Sequence, residues 1–212
     1  MEVGFRVVEF VGPAASGKTT VSNALEGMVG EQQSPKLIKR SLLKLCRCFL
    51  QPLFFLKAFL FCRKAGVTWE RGMLLKVIDL GLAQGVVWLQ KKSGMIVLSQ
   101  GISRDVWKCC KSYNTVCDWA EPVSKLLLPD VTVVVSVEAS VRSARSNERK
   151  KVKKYKRINR YFGDVGANEV GTDQSLELLE EAMKKNGVKV VRIDTLHSPE
   201  YNAEKLLQEI LP

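Results

Sequence analysis

Between positions 12 and 19 the chain reads Gly12-Pro13-Ala14-Ala15-Ser16-Gly17-Lys18-Thr19, followed by Thr20. This fits G-x-x-x-x-G-K-[ST] at every position. Glycines let the main chain pass close to a ligand, and successive N–H groups turned inward form a nest for anionic oxygen. A helix opening near Gly17 adds the positive end of its dipole. On this reading Lys18 reaches the β- and γ-phosphates of a nucleoside triphosphate and the Thr19 hydroxyl ligates Mg²⁺. The plainer alternative is a strand–turn–helix corner that happens to carry glycines. Such a corner needs no lysine followed by a hydroxyl.

A second chemical feature is charge. The 212 residues carry a formal net charge of +11, which suits polyphosphate, nucleic acid or anionic lipid. Eight Lys or Arg and no acid lie between Arg149 and Arg160, leaving +3 for everything else. Six cysteines (Cys46, Cys48, Cys62, Cys109, Cys110, Cys117) show neither disulfide-framework nor zinc spacing beside the lone His197, so reduced thiols in a cytoplasmic protein are expected. Met1–Val11 leads straight into the loop with no signal-peptide pattern. The apolar stretch 41–62 is interrupted by Lys44, Arg47, Gln51, Pro52 and Lys57. It reads as two amphipathic helices broken at Pro52, not as a membrane span. Basic amphipathic helices also suit a peripheral membrane contact.

The elements that must position the loop follow from periodicity. Phe5–Val11 is a β-rich run, and Lys18 to about Val29 has a helical pattern. Helices are expected over 36–51, 53–64, 68–92, 101–119 and 121–128, with breaks at Pro52, Ala65-Gly66 and Pro129. Met95–Leu98 is a short strand. Val131–Val137 is a near-continuous apolar run, as a parallel strand covered on both faces would be. A helix resumes at Glu138 and runs into the basic block, 163–171 is a loop, and 173–186 is helical. Val188–Ile193 is another strand and Pro199–Ile210 a closing helix. Strands separated by helices indicate an α/β sheet of parallel strands.

With the loop placed, the chain resembles the nucleoside and nucleotide kinases of the P-loop superfamily. "VVEFVGPAASGKTT" is similar to the opening of adenylate-kinase-like and thymidylate-kinase-like enzymes, "PDVTVVVSVEASVRSARSNER" to their fourth strand and the helix entering the lid, and "VKVVRIDTLHSPEYNAEKLLQEI" to their last strand, adenine-side loop and closing helix. The resemblance implies one domain with a three-layer α/β/α P-loop NTPase fold. Its parts would be a mostly parallel five-stranded sheet, a helical insert over 37–92 covering the acceptor, and a basic lid over 145–165. It implies that Arg145 and Arg149 close over the phosphates and stabilise charge on the transferring group, with Arg157 and Arg160 as further candidates. It also implies that Asp194 and Thr195 lie beside the adenine. A solvated basic loop and ordinary turn chemistry are the respective alternatives.

Two positions depart from the family pattern. Ala14 stands where thymidylate kinases usually carry an acid, which argues against thymidylate as substrate. Ser99-Gln100-Gly101 follows the second strand where relatives show an aspartate that organises Mg²⁺ through water. Neutral oxygens hold a hard cation less well than a carboxylate. Glu9 is one substitute, or else a paired structural acid. Asp105 is another, as acceptor base or water organiser, with Arg104 beside it for an anionic acceptor. Arg40, Arg47, Arg63 and Arg71 of the insert are acceptor contacts or solvated charges.

The leading expectation is therefore an ATP- and Mg²⁺-dependent kinase acting on a nucleotide, nucleoside or related metabolite, compatible with a homodimer. A nucleotide-binding regulatory or degenerate relative without efficient transfer is the rival. A third reading makes the basic block, with Tyr155 and Tyr161, a nucleic-acid contact. A switch GTPase is disfavoured because no N-K-x-D motif follows the later strands.

Overall fold

A computed structural model of the chain describes residues 7–32, 52–67, 72–90, 96–98, 101–112, 118–151 and 170–210. In chain order the elements are β1 (Val7–Val11), α1 (Lys18–Gln32), α2 (Pro52–Lys64), α3 (Gly72–Gln90), β2 (Ile96–Leu98), α4 (Ile102–Ser112), α5 (Ala120–Val123), β3 (Val131–Ser136), α6 (Ala139–Lys151), α7 (Val170–Lys185), β4 (Lys189–Asp194) and α8 (Pro199–Ile210).

The strands form one parallel sheet in the order β2-β1-β3-β4. Among the described residues it has four strands, not the five expected. The chain supplies four β-rich runs, and the fifth rested on resemblance with no run of its own. The apolar strands β1 and β3 are central, as strands covered on both faces must be. Side-chain alternation then makes two cores. Val8, Phe10, Val133, Val135 and Ile193 face α1 and α8, where Leu25, Leu206 and Ile210 meet them. Val7, Val11 and Val134 face the opposite layer, packed with Phe61, Leu80, Val106, Leu179 and Met183. Helices thus cover both faces of the sheet, in three layers.

Several boundaries differ from expectation, each for a local reason. Pro52 opens α2, where its missing N–H costs nothing. The helix expected over 101–119 ends by Ser112 among the described residues. Trp119 belongs to a new turn, whose Ala120 N–H is accepted by Asp118 Oδ1 at 2.9 Å. That turn stops at Val123 and does not run to Leu128: the Lys125 and Leu126 N–H groups bond only three residues back, to Pro122 O and Val123 O, and the Leu127 N–H goes to Gln84 Oε1 at 3.0 Å. Gln84 is fully buried in α3, and its amide also donates to Phe54 O at 3.0 Å. One side chain therefore joins α2, α3 and the segment leading into β3.

All four strands point the same way, so their carboxyl ends share one edge. From β1 the chain moves first to β2 on one side, while β3 lies on the other. The carboxyl ends of β1 and β3 thus flank a topological switch point, the usual place for a ligand in an open α/β sheet. No helix among the described residues is long and apolar enough to cross a membrane.

Candidate functional site

The segment leaving β1 at that switch point is the glycine-containing loop. Positive φ occurs at Gly12 (150°), Ala15 (63°) and Gly17 (92°), and these left-handed steps wrap the main chain round its own interior. Gly12 is required for space as well: a Cβ there would run into the Val135 carbonyl oxygen of β3. Ala15 accepts a left-handed conformation at a cost of about 1–2 kcal/mol, the kind of strain found at ligand-binding turns. The Ser16 N–H turns back to Pro13 O at 3.3 Å, and Gly17 O accepts the first α1 bonds from Thr20 and Val21 at 3.0 and 3.1 Å. The first turn of α1 carries no acid, so its dipole end is not neutralised there.

Lys18 bends back over the loop. Its Nζ donates to Gly12 O at 2.7 Å, Pro13 O at 2.6 Å and Ser16 Oγ at 3.3 Å. An ammonium group is thereby held at the mouth of a turn whose backbone is shaped as an anion nest. Thr19 and Thr20 are exposed on the first turn of α1. These residues are of the types that fit a polyphosphate, and the Thr19 hydroxyl is the oxygen that would be offered to a divalent cation. Among the described residues no three His, Cys, Asp or Glu gather into a metal-binding group.

Arg145, on α6, reaches across to the turn after β4. Its guanidinium donates to Thr195 Oγ1 at 3.1 Å and to Thr195 O at 3.2 Å. The same Thr195 hydroxyl donates to Ser16 O at 2.8 Å. Three of the expected site segments are thus brought into contact: the loop, the helix after β3 and the turn after β4. Asp194 is exposed and accepts the Leu196 N–H at 3.1 Å, which shapes that turn. Beside it lies a cavity of about 300 Å³ lined by Ser136, Asp194, His197, Tyr201 and others, where the His197 and Tyr201 rings stand 4.9 Å apart. The side chain of Arg149, on α6, lies outside the described residues, as do Ser99, Gln100, Arg40, Arg47, Arg71 and 152–169.

The two carboxylates considered as substitutes are placed differently from each other. Glu9 is completely buried. Its Oε1 accepts the Ile102 N–H at 3.2 Å and its Oε2 the Ser103 N–H at 2.8 Å. It caps α4 from within the sheet. Burial pushes its carboxyl above the usual range, against the pull of the hydrogen bonds from Ser103 and Ile102. The Ser103 hydroxyl is within 3.0 Å of Thr132 Oγ1 on β3, completing a small polar island. Gly101 leaves room for it, since a Cβ there would strike the Glu9 carboxylate. Asp105, one step along the same first turn, pairs with Lys108 at 3.5 Å. Burial raises its carboxyl too, opposed by Lys108 and Arg104 and reinforced by Asp79 of α3. Its charge also acts on Glu9 of β1, adding to the rise of that carboxyl.

The motif made the loop and Lys18 legible from residue types alone. The Thr195 hydroxyl as a loop contact was not, because its partner Ser16 lies 179 positions away. The cap made by Glu9 left one clue, an acid inside an otherwise apolar strand. The described cysteines Cys62, Cys109 and Cys110 are free and buried. Burial raises the first two thiols to about 12 and about 11.

No protein-family model and no curated protein matches the chain. Among solved structures it is similar to thymidylate kinase from Candida albicans, at 14% identity and a TM-score of 0.47, covering 97% of this chain and 92% of that one. It is also similar to thymidylate kinase from Ehrlichia chaffeensis, at 14% identity and a TM-score of 0.45, covering 98% and 99% respectively.

Proposed function

We propose that this chain is an ATP-dependent phosphotransferase acting on a small-molecule acceptor such as a nucleotide, nucleoside or related metabolite. The observation that carries the reading is the loop at the switch point. Its positive-φ steps at Gly12, Ala15 and Gly17 open a cradle of amides, and Lys18 is folded into its mouth. Phosphoryl transfer asks mainly for positioning and positive charge. Gly12, Pro13, Ala14, Ala15, Ser16, Gly17 and Thr20 form or flank the cradle, Lys18 neutralises the terminal phosphates, and Thr19 holds the Mg²⁺ that shields their charge. Arg145 and Arg149, on one helix after β3, supply further cationic groups from a lid over 145–165. The insert over 37–92 covers the acceptor, with Asp105 beside it as the group that takes the acceptor proton. Asp194 borders the nucleotide on the β4 side, with Thr195 behind it against the loop.

The test is calorimetric titration with Mg-ATP, followed by a coupled ADP-release assay across a metabolite panel. Wild type is expected to bind, and Lys18→Ala to weaken binding by about tenfold or more, the loss of a charged contact to phosphate. Equal affinity in the two proteins refutes the reading.

A second reading, nucleotide binding without efficient transfer, draws on the placement of Glu9. Both of its carboxylate oxygens are engaged by α4 amides, so it serves as a cap. ATP binding with no ADP release on any acceptor, gained only on Ser99→Asp, would select this second reading.

A further inference from the structure

Thr195 is 7% exposed and has every polar atom of its side chain engaged. A residue so enclosed is poorly placed to read a nucleotide base. Its hydroxyl donates to Ser16 O at 2.8 Å and accepts from Arg145 at 3.1 Å, while Arg145 also grips the Thr195 carbonyl at 3.2 Å. The described residues contain no cis peptide bond. In a trans peptide the C=O and the following N–H point in opposite directions. Fixing Ser16 O toward Thr195 therefore turns the Gly17 N–H the other way. Residue 17 also has little room for a side chain on that side, since a Cβ on Gly17 would lie 3.1 Å from Thr195 Cγ2.

We propose that Thr195 is the positioning residue of the phosphate loop. Its hydroxyl, backed by the Arg145 guanidinium, pins the Ser16–Gly17 peptide so that the Gly17 amide stays turned into the cradle. A cationic donor polarises the hydroxyl and strengthens its own donation. The state of α6 is thereby communicated to the loop through one oxygen atom. The consequence for ligand binding rests on the phosphotransferase reading above; the pinning of the peptide does not.

The experiment compares wild type with Thr195→Val, which keeps the shape without the hydroxyl, and Thr195→Ser, which keeps the hydroxyl without the methyl. Amide hydrogen exchange is followed in the ligand-free protein for peptides covering 12–19, 139–145 and β3. Thr195→Val is expected to accelerate exchange in the first two by about tenfold, the loss of one charge-backed hydrogen bond, and to leave β3 unchanged. Thr195→Ser is expected to restore most of the protection. Unchanged loop exchange in Thr195→Val, or equal acceleration in the serine variant, overturns the proposal. Should Thr195→Val also loosen β3, Arg145→Leu carries the decision: faster loop exchange with an intact β3 supports it, and wild-type loop exchange overturns it. Mg-ATP titration of the same proteins then separates the two claims. Wild type that takes no ATP defeats the phosphotransferase reading, while the exchange data still decide the pinning.

Discussion

Ala15 occupies a backbone conformation that a side chain disfavours, with φ of 63°. Its left-handed cost of about 1–2 kcal/mol would be relieved by glycine, whose extra chain entropy costs about 0.5–1 kcal/mol. Ala15→Gly is therefore expected to leave stability unchanged or raise it by up to about 1.5 kcal/mol. Ala15→Val, β-branched at the same φ, should lower it by about 2 kcal/mol or more. Urea titrations of the three proteins check this. Lys18 belongs to the same scale: in the ligand-free loop its ammonium is satisfied by carbonyls, so Lys18→Ala should damage binding far more than folding. The loop could be read from the sequence because its glycines, lysine and hydroxyl are local and ordered. The contact of Thr195 with Ser16 could not, because a hydrogen bond between distant positions leaves no periodicity behind.

At the scale of elements, α4 is held by its first turn. Glu9 satisfies two amides that a helix start leaves without intrahelical partners, and the narrow fit against Gly101 makes Gly101→Ala strongly destabilising. The ionisation of Glu9 gives this junction a pH signature. Its folded-state carboxyl is raised above the ordinary value near 4.5 by burial, so the folded protein binds this proton more tightly than the unfolded chain. That contribution to stability is fully present below the unfolded value and is lost as pH rises through the folded one. Stability measured from pH 4 to pH 7 should therefore fall for wild type relative to Glu9→Gln. Parallel curves would show that burial does not govern this acid. The sequence placed β1 and α4 in the right order, yet it ran α4 on toward Trp119. A helical pattern continues across a break marked by the Asp118 side chain, which accepts the Ala120 N–H, and the Gln84 contact that follows α5 comes from a different helix.

At the scale of the molecule, the carboxyl edge of the sheet gathers the loop, the start of α4, α6 and the turn after β4. A ligand seated there stabilises the whole folded state by mass action, about 2.7 kcal/mol at a hundredfold excess over Kd. For a chain of this size that is a rise of roughly 5–10 °C in Tm. Scanning calorimetry with Mg-ATP should show it for wild type and not for Lys18→Ala. The layered α/β class was legible because β1 and β3 are short, largely apolar runs set between helical patterns. The strand count was not, since four runs in the sequence do not themselves exclude a fifth.

Gln84 gives the helical layer a fixed address. Its amide grips the start of α2 while its oxygen receives the chain just before β3, on the side of the sheet remote from the loop. The helical pair is thus tied at one point to the segment that enters β3, and a shift of either helix has to carry that point with it. Replacing the amide with leucine would orphan the Phe54 carbonyl and the Leu127 amide together and unfasten two segments with one substitution.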